Sequence, residues 1–179
     1  SIDSLWRIQS DALNRIRGIE VAEGTLAVSN AGSGQVLLMT VGGDSVRAVG
    51  RIGRGPGELL ALTDVSIRGD TLAVLDGLGR RLQFFQTSAL DSSPRSWSLP
   101  RELGVPERVL MRPDGAVVVA FRTGPPPAGV VPPFQVFRDT VRVAVASDAA
   151  GGRFRPVLSF PAGPTCTEQT FPIKAGAQQ

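Results

Sequence analysis

Four carboxylates crowd one short stretch of the chain: Glu58, Asp64, Asp70 and Asp76. Arg54, Arg80 and Arg81 are interleaved with them, and "GRIGRGPGELL", Gly50 to Leu60, places four glycines beside the first. Three chemistries could use such a set. Paired carboxylates serve general acid–base catalysis or hold a hard cation, a glycine-rich loop can cradle phosphate, and an arginine group can take an acidic partner.

The phosphate reading fails on the residues after the glycines. A dinucleotide loop must open a helix and a Walker-type loop needs Lys-Ser/Thr, whereas "LLALTDVSIRGDTLAV" reads strand–turn–strand and Glu58 would repel phosphate. Asp70 and Asp76 stand in turns, where aspartate ordinarily bonds its own backbone. An arginine opening a strand ordinarily pairs with a nearby carboxylate or stacks over the sheet, so Arg54, Arg80 and Arg81 are weak binding candidates. The chain has no histidine and no tyrosine, which removes histidine-ligated zinc, Ser–His or Cys–His catalysis and a tyrosine acid from its repertoire. The single cysteine, Cys166, has no histidine to activate it and reads as structural.

The 179 residues are 42% hydrophobic with a formal charge of +3, a globular composition with no apolar run of the roughly 20 residues that a membrane helix needs. The basic residues are scattered, so nucleic acid is not an expected partner. Ser1 opens the chain without a methionine or an apolar leader, which suggests a processed or excised chain; the expected location is periplasmic or extracellular.

The elements that position these residues recur. "TLAV" occurs at Thr25–Val28 and at Thr71–Val74, 46 residues on, and "EGTLAVSNAGSGQVLLM" lies over "GDTLAVLDGLGRRLQFF", matching Asn30 to Asp76. A third copy, "RPDGAVVVAF", comes 45 residues later, and each copy is preceded by a short alternating strand, at Ile19/Val21, Val65/Ile67 and Val109/Met111. Four short strands per unit, joined by Gly/Asp turns, predict hairpin-connected antiparallel sheet. At this period the unit is a β-propeller blade. The expected architecture is all-β: one partial propeller domain of about three and a half blades, with units near 17–62, 63–107 and 108–161. An insertion with five prolines falls near 124–139, and 162–179 reads as an irregular tail.

Val49 to Phe85 resembles the bacterial six-bladed propellers of NHL-repeat type, in the TolB-like/NHL-like superfamily. Gly53, Gly55, Gly57, Glu58 and Leu59 match its glycine stretch, and Ala73, Val74, Asp76, Arg81, Gln83 and Phe85 its strand–turn–strand core. Gly53, Gly55, Pro56, Gly57 and Glu58 then form a blade-to-blade joint, its glycines and Pro56 shaping the corner. Six blades need ~275 residues, so further blades or a second copy are expected to complete the ring. The motif says nothing of activity, since the family includes binding modules and enzymes alike. The repeat with no catalytic set leads us to expect a non-catalytic module that binds protein or carbohydrate at the mouth or through the proline-rich insertion. The alternative is a calcium-dependent, lactonase-like hydrolase with Asn30 and Asp76 as weak metal candidates, completed by the missing blades.

Overall fold

A computed structural model describes residues 13–41, 46–123 and 137–165. Glycine and aspartate turns cut the chain into short strands that pair with their sequence neighbours, giving three four-stranded antiparallel sheets. The first holds β1 (Ile16–Ala22), β2 (Thr25–Asn30), β3 (Gln35–Thr40) and β4 (Val46–Val49). After β5 (Arg51–Ile52) and β6 (Glu58–Leu59), the second holds β7 (Leu62–Arg68), β8 (Thr71–Asp76), β9 (Arg81–Gln86) and β10 (Arg95–Ser98). The third holds β11 (Val105–Met111), β12 (Val117–Thr123), β13 (Phe137–Ala146) and β14 (Arg155–Thr165). The fold is a partial β-propeller built of four-stranded blades.

Blades pack face to face, with the first strand of each along the inner edge. We call the face toward the following blade leaving and the face toward the preceding one entering. The second blade has both faces covered. Its entering residues Val65, Ile67, Leu72, Val74 and Phe85 pack against Ala27, Val36, Leu38 and Val49 of the first blade. Its leaving residues Ala73, Leu75, Leu82, Phe84 and Trp97 pack against Val109, Val117, Val119, Phe121 and Ala144 of the third. A strand covered on both faces has no polar face to show, hence the continuous apolar run of β8, whereas β12 alternates buried Val117, Val119 and Phe121 with half-buried Val118 and Ala120. At the outer edge, Phe84 and Trp97 meet edge to face at 4.6 Å, and Arg95 lies over both rings.

Two boundaries differ from the sequence expectation. β13 resumes at Phe137, inside the stretch assigned to the insertion, pairing Phe137 with Thr165. β14 therefore runs to Thr165, into the stretch expected to be irregular. Pro156, Pro161 and Pro164 obscure this strand in the sequence, yet an outermost strand can carry prolines because its outer edge needs no ladder donors. The rest of the proline-rich stretch and Cys166 lie outside the described residues.

The joint between the first two blades holds a parallel pair that the sequence pattern did not indicate. Arg51 pairs with Glu58 and Ile52 with Leu59. Glu58 closes the loop, its carboxylate accepting from the Arg51 Nε at 2.8 Å and the Gly55 amide at 2.7 Å. A side chain at Gly53 would fall on that carboxylate, and Gly57, at φ 75, holds a left-handed conformation. The next joint is a 3-10 turn, Arg101–Leu103, ending at Gly104, where a Cβ would come within 2.5 Å of the Arg122 carbonyl.

Phe121 is fully buried between the second and third blades. Phe121→Ala is expected to lower the unfolding free energy by about 4 kcal/mol, measured by denaturant unfolding. A loss below about 1 kcal/mol would show that the two blades do not share one core.

Candidate functional site

The inner strands of all three blades begin at the same end, and between their starts lies an open cavity of about 640 Å³. Four arginines reach it: Arg15 and Arg17 from the start of β1, Arg108 from β11 and Arg122 from the end of β12. Leu60, Leu62 and Val105 contribute apolar surface.

Backbone contacts set where the Arg15 side chain starts. Arg15 adopts φ 58, a left-handed conformation unusual for a side chain with a Cβ. Hydrogen bonds on both sides hold it there: the Asn14 amide donates to Asn30 Oδ1 at 2.8 Å, and the Ala31 and Gly32 amides donate to the carbonyls of Arg15 and Asn14. Arg122 pairs with Glu107 at 2.9 Å. Arg108 donates to the Arg17 carbonyl at 3.2 Å and lies 3.6 Å from Asp64. Burial raises the Asp64 carboxyl above the ordinary aspartate range, against the Val109 and Val65 amides and Arg108. The lining thus carries four arginines against one carboxylate, Glu107, with the desolvated Asp64 beside Arg108, a net positive bowl with apolar residues among its walls.

Behind the bowl, polar side chains cross from blade to blade. Glu20 of the first blade accepts the Ile67 amide of the second at 2.9 Å and meets Ser66 Oγ at 3.2 Å. Ser66 in turn accepts the Met111 amide of the third at 2.9 Å, and Asp64 accepts the Val109 amide at 3.0 Å. Gly18 leaves the space that Asp64 fills.

The residues singled out by sequence lie elsewhere. Asp76 is fully buried, its oxygens accepting the amides of Leu60, Ala61 and Gly79 and the Arg81 Nε. Asn30 does for Asn14 what Asp76 does for Leu60, each side chain holding an amide 16 residues upstream. Arg81 also donates to the carbonyls of Arg54 and Glu58, so Arg54, Glu58, Asp76 and Arg81 form one corner. Gln83 completes that corner, accepting the Gly57 amide and donating to the Glu58 carbonyl. Arg80 ties the next joint, donating to the carbonyls of Pro100 and Gly104. Among the described residues no group of three His, Cys, Asp or Glu is placed to hold a metal ion. The arginines of the bowl had one sequence signal: Arg15 and Arg17 stand where the second unit has Ala61 and Thr63.

Comparison with known proteins adds the fold. No family model matches the chain, and no curated protein matches it. Solved structures do. A chain of the nidogen–laminin complex aligns with a TM-score of 0.58 and 11% identity, over 82% of this chain and 49% of that one. A candidate exported protein of Bacteroides fragilis aligns at 0.54 and 15%, over 82% and 38%. Kuenenia stuttgartiensis hydrazine synthase aligns at 0.52 and 14%, over 92% and 40%. At these identities the likeness is one of fold. The chain spans less than half the length of each of these three. Among the described residues no helix is long and apolar enough to cross a membrane.

Burial, ahead of the Coulombic effect of Asp64, raises the Glu20 carboxyl above its ordinary value of 4.5, while Ser66 and the Ile67 amide pull it down. A raised folded value favours the protonated form, so the contribution of Glu20 is complete below about 4.5 and is lost as pH rises through the folded value. Glu20→Gln stays neutral throughout. The unfolding free energy of the native chain minus that of Glu20→Gln should therefore decline from acid to neutral pH in urea melts, and a rising difference would contradict the assignment.

Proposed function

We propose that this chain is part of a six-bladed, NHL-type propeller acting as a non-catalytic binding module, periplasmic or extracellular, that captures an acidic segment of a protein partner at the arginine bowl. The observation that carries the reading is the set of four arginines converging on one cavity from the inner and second strands of two blades. Neither Arg15 nor Arg17 makes an ion pair among the described residues, so their charge is available to a ligand. Guanidinium groups recognise carboxylates with two parallel hydrogen bonds. The described lining holds no aromatic ring. A sugar would therefore find no aromatic face there, which favours protein over carbohydrate. Leu60, Leu62 and Val105 suit apolar residues flanking the acid. The repeat supports the NHL assignment, and the likeness to a candidate exported protein supports the location.

The test uses a fluorescein-labelled peptide of alternating glutamate and leucine, with its glutamine counterpart as control. The acidic peptide should bind more tightly, and more weakly as salt rises. Arg17→Gln, or Arg15→Asn with a residue that tolerates the left-handed backbone, should weaken it roughly tenfold, about 1.4 kcal/mol. Equal binding of both peptides, or of neither, would overturn the proposal.

A further inference from the structure

The two blade-to-blade contacts obey one rule, written in equivalent residues. Across the leaving face of the first blade the register runs Glu20, Ala27, Leu38, Arg47. In the second blade it runs Ser66, Ala73, Phe84, Arg95. Each row has an acceptor on the innermost strand, an apolar middle and an arginine on the outermost. The acceptors take the amides of Ile67 and Met111, which occupy equivalent places on the entering face of the next blade. The arginines reach across the rim, Arg47 to the Thr87 carbonyl at 2.8 Å and Arg95 to Asp148.

The same rule applies to both outer faces. On the entering face of the first blade, Ile19 and Val21 are 64% and 60% exposed. Val21 is the equivalent of Ile67, so its amide points to the inner edge of β1, which pairs with no further strand among the described residues. Val41 is the equivalent of Thr87; each comes after a third strand, and each donates its amide to the turn after its blade's first strand. On the leaving face of the third blade the row runs Leu110, Val118, Val145, Arg155. The rim arginine is kept, but the inner position holds Leu110, 54% exposed, which cannot accept a hydrogen bond.

We infer that the exposed face of the first blade is a docking surface for another propeller blade, one whose innermost strand presents a carboxylate or hydroxyl to the Val21 amide and whose outermost strand presents an arginine to the Val41 carbonyl. The third blade of a second copy meets the rim requirement through Arg155 and fails the inner one at Leu110. Head-to-tail pairing of two copies would bury the Val21 amide against an aliphatic side chain and leave it unsatisfied, a costly arrangement. The partner is therefore a blade of different sequence. This inference rests on the propeller fold and is independent of the arginine bowl.

Leu110→Glu supplies the missing acceptor and makes the third blade a partner for the first. Association driven by apolar burial alone would weaken on replacing an exposed leucine with glutamate; the rule predicts the opposite. Sedimentation equilibrium should show Leu110→Glu self-associating at least tenfold more tightly than the native chain. Adding Val21→Pro, which deletes the donor at a free strand edge, should return it to the native level, as should adding Arg155→Ala. Circular dichroism checks that the sheets remain. Self-association unchanged or weakened by Leu110→Glu would overturn the inference, as would a gain that survives both second substitutions.

Discussion

Everything in this structure depends on one sheet face meeting the next with its buried amides satisfied. A blade is too thin to enclose a core of its own, so its apolar rows are buried only against a neighbour. That stacking brings the inner-strand amides of one blade against the side chains of another, where an unpaired donor is expensive. Glu20, Asp64 and Ser66 answer this need. Apolar area supplies the attraction, and these three side chains fix which residue sits opposite which.

The same constraint places the arginine bowl. Inner strands converge, so whatever their first residues carry is gathered at one mouth, and Arg15, Arg17 and Arg108 come together from positions 91 residues apart along the chain. The corners behind them are held rigidly. Asp76 collects three amides and a guanidinium, and Arg81 and Gln83 strap the joint loop to the third strand of the second blade. Arg108 and Arg122 are held by contacts of their own at the bowl, while Arg80 and Arg81 carry the frame at the corners.

Architecture was legible in the sequence where periodicity and turn chemistry agreed: the repeat of "TLAV", the Gly/Asp turns and the apolar runs of β8 and β12. The site was not, because it depends on contacts between units. Glu20 and Ser66 look like solvent-facing residues in an alternating strand, and only the neighbouring blade reveals them as acceptors. Asp76 drew attention as a possible ligand, yet its oxygens face backbone amides, as aspartate at a turn commonly does. β14 was obscured by prolines that an edge strand tolerates, and the short parallel pair at the joint depends on Glu58 folding back on Gly55, for which no local pattern is diagnostic.

The third blade carries its extra length at the tip between β12 and β13, and the position has a consequence for how such a chain can change. Each inner-strand acceptor takes an amide 45 to 47 residues further on, along a path that runs through the tips of the earlier blade. Lengthening a tip moves those partners apart in sequence without moving them in space. Adding one residue within an inner strand would instead put every acceptor on the wrong side of its sheet. Tips are therefore where such a lineage can acquire new loops at little structural penalty, while the inner strands remain bound to a fixed count.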